Sequence, residues 1–482
     1  VSTVTTNTAP QALLDNEEKI SVWEKMGYGT GDLASCLIWG TLSMYLMYFY
    51  TDIFGISAAA AGFMIMILRA LDAFVDPGVG VIADRTRTKM GKYRPYLIWF
   101  SIPFAVAVIF TFTTPAHLTG GHKLLYAYIS YGSMMILYSV VNIPYSALLG
   151  VVTNNPVERT SFSSFKYLGA YLGGFVVSIS LLPLAAHFGG NNIQHGWSIV
   201  MTLYSIAAVI LFYVAFLSSK ERVSPPPAQK RTPLIRDIKD LTSNLPWIIL
   251  FIVSLLMILM SALGGTLSMY YFKYYVGTQV FMGHVIHLDV LASFFNTTGQ
   301  IVTIIGVLVV PFIVKRFGKK KTFIAYFIIA AVIGIPTYFI APNQLGLMFL
   351  INIIGNFFGG PTSVLLWAMY ADSADYSEWK HGRRATALVF SVAILAQKLA
   401  WAVASGICGF LLSAAGFDAN HVQDSQVIHL ILNLRSFIPL YIGIVGIVFM
   451  FFYSLNDKKI KQVNEELAAR RELQAHSIEV TK

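Results

Sequence analysis

Apolar stretches of about 20 residues, the length that crosses a bilayer as a helix, recur along this chain between short polar segments. They fall near 33–54, 58–83, 95–114, 123–150, 161–186, 196–218, 247–276, 290–315, 322–341, 345–370, 385–415 and 427–454. Hydrocarbon offers no partner to a backbone amide, so spanning segments of this length must satisfy their own hydrogen bonds as helices. The pattern predicts an all-α membrane protein with twelve transmembrane helices.

Composition agrees: 56% of the 482 residues are hydrophobic and only 12% charged, with mean hydropathy +0.64. A chain of this length would otherwise suggest about three soluble domains; here the spans use it up. The first 20 residues are polar and acidic, without a basic segment leading into a short apolar core, so no cleavable signal peptide is expected and span one acts as the insertion signal. Cys36 and Cys408 both lie in apolar spans, far from metal-ligand spacing, which excludes a disulfide framework. The net charge of +10 raises nucleic acid as a partner until its location is read. Basic residues crowd into alternate loops: Arg85 to Arg94, Lys220 to Lys239, Lys315 to Lys321 and Lys380 to Arg384, with Lys123 and Lys273 the main ones on the other side. The positive-inside rule then places both termini and the even-numbered loops in the cytoplasm, and nucleic-acid binding drops out. The tail from Asn456 has helical periodicity and mixed charge, as a solvated or membrane-surface helix does.

An internal repeat organises the spans. GTLSMY occurs at 40–45 and again, identically, at 265–270, and GKYR at 91–94 is answered by GKKK at 318–321. The predicted division is a cytoplasmic segment 1–25, a six-helix bundle 26–218, a proline-rich cytoplasmic linker 219–246, a second six-helix bundle 247–454 and a cytoplasmic tail 455–482. An even number of spans per half gives the copies the same orientation, as in the parallel repeats of major-facilitator transporters, whose substrate site lies at midplane between rocking halves.

Within span two, AGFMIMILRALDAFVDPGVGVIA carries Arg69, Asp72 and Asp76. An intramembrane charge costs at least a few kcal/mol, so such groups normally face a protein interior or a watery path. Their spacings place all three on one helical face. Two carboxylates one turn apart, beside a guanidinium, form a face suited to a cation or a proton; a buried Arg69–Asp72 pair that only fixes packing is the competing reading. No HExxH motif or Ser/His pair at depth supports an intramembrane enzyme, and no G-x-x-x-x-G-K-[ST] supports nucleotide-driven transport.

The runs MGYGTGDLASCLIWGTLSMYLMYFYTDIFGIS, RALDAFVDPGVGVIADRTRTKMGKYRPY, NIPYSALLGVVTNNPVERTS and ADSADYSEWKHGRRATAL resemble the glycoside–pentoside–hexuronide:cation symporters, the group that includes melibiose permease. The resemblance implies a major-facilitator fold in a bacterial inner membrane, a monomeric functional unit without a resident cofactor, and uptake of a sugar or glycoside driven by Na⁺ or H⁺. It also implies that Asp72 and Asp76 are the cation carboxylates (the Na⁺ ligands, if sodium is coupled), that Ser139 adds a hydroxyl, and that Lys398, the lone charge in span eleven, stands near them. A proton-coupled exporter of a small metabolite or drug is the alternative.

The sugar site departs from the melibiose pattern. Two galactose-binding aspartates are replaced by Cys36 and Asn142, and tryptophan positions by Ser146 and Ser363, so an α-galactoside is not expected. Cys36, Trp39, Gly40 and Ser43 share a face of span one, presenting a small wall with one aromatic platform. Asn142 offers both donor and acceptor to a hydroxyl, and Lys166 falls at or within one position of a sugar-binding arginine. Losing two carboxylates while keeping Lys166 and Lys398 makes the cavity more positive, which favours an anionic sugar such as a uronide or sulfo-sugar; neutral pentosides are also carried in this family. Trp367 and Trp401 read as packing residues. The loop DRTRTKMGKYR reads as a cytoplasmic gate, with the loop acids Asp372, Asp375 and Glu378, beside Lys380, Arg383 and Arg384, as partners in the other half. His284 and His287 are assigned no role.

Overall fold

A computed structural model describes residues 20–153, 155–222, 242–281, 283–381 and 386–480. Residues 1–19, most of the linker, and Arg383 and Arg384 lie outside the described residues. The described chain is almost entirely helical: α1 Val22–Met44, α2 Ala58–Arg85, α3 Ser101–Thr111, α4 Gly120–Leu148, α5 Pro156–Gly189, α6 Ile193–Ser218, α7 Leu245–Tyr271, α8 Leu288–Phe317, α9 Lys319–Val332, α10 Leu345–His381, α11 Thr386–Ala414, α12 Ser425–Phe451 and α13 Asp457–Val480. Helix starts are marked chemically. Ser21, Ser57, Asn192 and Asn244 each accept a hydrogen bond from a first-turn amide of α1, α2, α6 and α7.

Among the described residues ten helices are long and apolar enough to cross a membrane, or eleven if a pair bent by 61° near Tyr45 counts as one span. The remaining expected span, 95–114, is broken into Pro95–Trp99 and α3. Pro103 explains the break, because its ring collides with the carbonyl four residues earlier, at Trp99, and it has no amide to donate. Span one starts at Val22 rather than 33. The polar residues that lowered its hydropathy are paired: Lys25 with Glu158 at 2.6 Å, and Glu24 with Arg222 at 2.5 Å. At its other end the helix passes into a π-turn, Phe49–Phe54, stopped by Gly55 at φ +81°. The second copy of the repeat does the same, with a π-turn at Phe272–Val276 stopped by Gly277 at φ +68°. Both glycines occupy backbone conformations that a side chain disfavours.

Helices α1, α5 and α6 pack together, α2 lies on α4, and α3 lies against α4 and α6. In the second half of the chain α7 packs on α11 and α12, α8 on α10, and α9 on α10 and α12. The two sets meet through α2 with α11, α5 with α8, and α1 with α7. Large apolar side chains such as Phe63, Phe74, Phe110 and Phe312 remain exposed around the outside, as in a multi-pass membrane protein whose solvent there is lipid. His284 lies on the strand His284–Ile286 of a small antiparallel hairpin with Gln279–Phe281, and His287 caps α8.

The acids expected in a loop lie on helix instead, since α10 continues to His381. Asp372 pairs with Lys319 at the start of α9, within the second set of helices. The DRTRTKMGKYR loop is held by its own set: the Glu221 carboxylate accepts from the amides of Lys92, Tyr93 and Arg94 at 2.7, 2.8 and 3.0 Å. Arg94 donates to the Phe216 carbonyl at 2.8 Å.

Candidate functional site

The crossing of α2 and α11 brings the charges together. A side chain on Gly62 would come within 2.7 Å of the Ser405 carbonyl and 2.8 Å of the Gly409 Cα, so the two backbones are in contact there. Running antiparallel from that point, the helices set Lys398 against both carboxylates of α2. Its ammonium donates to Asp72 Oδ2 at 2.7 Å and to Asp76 Oδ2. From α4, the Ser139 hydroxyl donates to Asp72 Oδ1 at 2.6 Å. The remaining oxygen, Asp76 Oδ1, is buried without a hydrogen-bond partner.

With both carboxylates ionised, the hydrogen-bonded group of Asp72, Asp76 and Lys398 carries one negative charge, and among the described residues Arg69 makes no ion pair with it. Burying a net charge is costly unless something neutralises it, and one monovalent cation or one proton does so. The donor set, four carboxylate oxygens and a hydroxyl, is all oxygen, which suits a hard cation, and the orphaned Asp76 Oδ1 is a natural first ligand or proton acceptor. Among the described residues no group of three or more His, Cys, Asp or Glu side chains is arranged for a metal. The side chains of Lys398 and Asp76 stay 21% and 16% exposed.

Arg69 does not form the packing pair with Asp72. Its guanidinium donates to the Leu42 carbonyl at 3.1 Å and the Tyr131 hydroxyl at 3.2 Å, and lies 5.5 Å from the ring centres of both Trp39 and Trp401. Trp401 is thus engaged with a charge as well as packed.

A second polar group forms beside the first. Lys166 donates to Ser146 at 3.4 Å, and Ser146 to Asn142 Oδ1 at 3.3 Å. Tyr138 lies one helical turn before Asn142 on α4 and stacks on Trp39 with centroids 5.5 Å apart. Asn142, Ser146, Lys166 and Trp39 therefore converge. Cys36 lies half-buried where α5 passes close at Gly173. Ser43 sits farther along α1, its buried hydroxyl without a partner, where the two GTLSMY copies face each other at Gly265. Ser363 is half-buried on α10, and among the described residues no hydrogen bond joins it to this group.

Sequence reading missed Asp32, because it began the span one residue later. Asp32 lies one turn before Cys36 on α1 and within electrostatic reach of Lys166, Cys36 and Tyr138. Lys398 is paired with Asp72 and Asp76, and Lys166 has the Asp32 carboxylate within Coulombic range, without an ion pair between them among the described residues. The expectation of an excess of positive charge left Asp32 out of its count. The signal for Asp32 was present, as an acid among apolar residues and glycines, but its helix was cut short by the hydropathy of Glu24 and Lys25.

A helical membrane protein with paired repeats and an ion-pair cluster between its halves is a secondary transporter of the major-facilitator type. The chain matches the MFS/sugar transport protein family over residues 27–457. It belongs to that family and, within it, to the glycoside–pentoside–hexuronide:cation symporters. It is similar to the isoprimeverose transporter of Lactiplantibacillus pentosus, 34% identical over 443 residues that cover 89% of this chain and 88% of that one. The inner membrane symporter YicJ of Escherichia coli is 34% identical over 457 residues, 94% and 96% of the two chains. The glucuronide carrier protein homolog of Escherichia coli is 29% identical over 461 residues, 94% and 97% of the two. Among solved structures, a proton-dependent oligopeptide transporter superimposes with TM-score 0.66 at 9% identity over 92% of this chain and 100% of that one, which speaks for the fold alone.

Proposed function

We propose that the protein imports a neutral sugar or glycoside by symport with one monovalent cation, Na⁺ or H⁺, through alternating access. It acts as a monomer in a bacterial inner membrane with both termini cytoplasmic. The observation that carries the coupling is the singly negative Asp72–Asp76–Lys398 cluster with its orphaned Asp76 Oδ1. Lys398 belongs to one half and the two carboxylates to the other, so the ammonium ties the halves together while no cation is bound. Na⁺ or a proton on the carboxylates competes with that tie, and the relative stability of the transporter's states then depends on cation occupancy. Asn142, Ser146, Lys166 and Asp32 supply donors and acceptors to sugar hydroxyls. The balance of Lys166 against Asp32 supports an uncharged sugar over a uronide.

The six-helix bundles 26–218 and 247–454 are the rocking units in this reading. The π-turns at Phe49–Phe54 and Phe272–Val276 close the end opposite the basic loops, which by the positive-inside rule is the outer end. This arrangement is then an inward-facing one. The experiment is uptake of labelled isoprimeverose, and of a panel of neutral glycosides with their uronic acids, into proteoliposomes under an imposed Na⁺ or proton gradient. Accumulation of a neutral member that collapses with the gradient supports the reading. Downhill movement indifferent to both gradients, or accumulation of the uronic acids alone, refutes it.

A further inference from the structure

Gln300 stands near the middle of α8, half-buried, and among the described residues its amide makes no hydrogen bond. The amides around it are engaged. Asn296, one turn earlier on the same helix, donates to the Tyr45 hydroxyl at 3.2 Å and accepts from Ser268 at 3.2 Å. On α10, Asn352 donates to the Phe295 carbonyl at 2.8 Å, and Asn356 to Asn352 Oδ1 at 2.8 Å. A side-chain amide carries two donors and an acceptor, and keeping them unmet at the depth of a bilayer core is costly. The partner of Gln300 is therefore whatever enters the space it faces.

That space lies on the boundary between the halves. Both polar atoms of the Gln300 amide are 3.7 Å from where a side chain on Gly174 of α5 would begin. Helix α8 runs from the outer hairpin toward the basic loop, so Gln300 is one turn nearer the cytoplasm than the Asn296–Tyr45 contact that joins the halves. In the inward-facing arrangement it belongs to the ceiling of the open passage. On α5, Gly174 is eight residues from Lys166, about 12 Å at the helical rise. Lys166, Ala170 and Gly174 follow one another at one-turn spacing and are all half-buried. Beyond the lysine, that strip of wall carries only a methyl group and a hydrogen, so it offers length without bulk.

We infer that Gln300 is the specificity-determining contact of the second half: it holds the outer ring of a two-ring glycoside whose inner ring lies on Lys166, Ser146 and Asn142, and so selects cargo by length. One pyranose is too short to reach both ends of the strip, whereas two linked rings span it. The amide suits this task chemically, because ring hydroxyls both donate and accept, as it does. The contact also acts across the boundary. Lys166 belongs to the first half and Gln300 to the second, so a disaccharide joins the halves through itself and a monosaccharide does not. This inference rests on the sugar import proposed above and adds the length of the cargo and its contact in the second half.

The test is titration calorimetry on the full chain in nanodiscs at saturating Na⁺, with isoprimeverose, xylobiose, cellobiose and maltose, each against its component monosaccharides. The parent binds at least one disaccharide about tenfold or more tightly than either component, since the second ring adds hydrogen bonds of its own. Gln300→Met, which keeps the length of the side chain and removes the amide, weakens that disaccharide about tenfold and its components by less than about twofold, the difference being one hydroxyl left unpaired. Gly174→Val, which fills the outer-ring position from the opposite helix, gives the same selective loss and decides the matter if Gln300→Met does not fold. Equal weakening of disaccharide and monosaccharide, or no weakening in either variant, overturns the inference and leaves sugar import standing. A parent that binds a monosaccharide as tightly as every disaccharide overturns it too. A parent that binds none of these sugars removes the proposed sugar import itself, and the inference with it.

Discussion

The Lys273 ammonium lies 2.7 Å from Asp52 Oδ1, joining the π-turn that follows one GTLSMY copy to the π-turn that follows the other. Asp52 also accepts from Tyr274 and, at 2.6 Å, from Thr51, whose hydroxyl is 2.7 Å from that of Tyr270. Asn420 completes the tie. It accepts from Lys273 at 2.6 Å and donates to the Asp52 carbonyl at 2.9 Å, in a backbone conformation, φ 64°, found at no other non-glycine among the described residues. An internal repeat has thus become a latch. Each copy ends in the same local distortion, and the two ends meet.

Breaking this latch should favour the conformation open at that end. Asp52→Asn and Lys273→Met each remove a charge-assisted hydrogen bond worth about 1.5–3 kcal/mol, a population shift of roughly 10- to 100-fold. The measurement is labelling of Cys36 by a membrane-impermeant maleimide in right-side-out vesicles, which should rise in both variants. The charge exchange Asp52→Lys with Lys273→Asp should restore part of the closure. Unchanged labelling in both single variants would show that the tie does not gate.

Coupling should fail when either carboxylate is neutralised. Asp72→Asn or Asp76→Asn removes an oxygen charge from a cluster that carries one net negative charge, and no cation is then required to balance it. Gradient-driven accumulation should fall by at least about tenfold, the effect of losing roughly 1.4 kcal/mol of differential binding, while sugar exchange without a gradient persists. Concentrative uptake undiminished in both variants would contradict the assignment.

The sugar group should discriminate by charge. Asp32→Asn and Lys166→Gln should each weaken binding of the neutral substrate about tenfold or more, since hydrogen bonds to charged groups contribute about 1.5–3 kcal/mol. Asp32→Asn also leaves Lys166 unbalanced, so the uronic acid counterpart, a poor competitor against the parent, should improve. Competition binding with the matched pair reads both effects, and a uronic acid that outcompetes its neutral partner in the parent would reverse the proposal.

The C-terminal helix should loosen in acid. On α13, Glu466 accepts from the Trp379 indole at 2.5 Å and from Gln462 at 2.8 Å, and these bonds, the indole first, hold its carboxyl below the usual glutamate range. A depressed folded-state value means the contribution is present above the ordinary glutamate pKa and is lost as pH falls through the lowered one. Protection factors of the amides along α13 should therefore fall on acidification below the ordinary glutamate pKa, about 4.3, and Glu466→Gln should flatten that dependence without altering transport. Protection factors with the same pH profile in both proteins would argue against the contact.

Much of this molecule is determined locally. Hydropathy over about 20 residues locates spans, and the 3.6-residue helical period puts Arg69, Asp72 and Asp76 on one face; a repeated hexapeptide announces two halves. These readings need only near neighbours in the chain. Local hydropathy misjudged the start of α1, because Glu24 and Lys25 look like solvent-facing charges until Arg222 and Glu158 are brought to them. Spacing left a buried Arg69–Asp72 pair open as the competing reading, and only the family resemblance put Lys398 near the carboxylates. Tertiary packing instead gave that place to Lys398, on a helix more than 300 residues away, and turned Arg69 toward Trp39 and Trp401. The electrostatics around the proposed sugar group depend on packing in the same way, since α1 brings Asp32 within Coulombic range of Lys166 on α5. Periodicity fixes which face a charge occupies, but its partner depends on which distant helices approach, and that is set by close contacts such as Gly62 against Ser405 and Gly409.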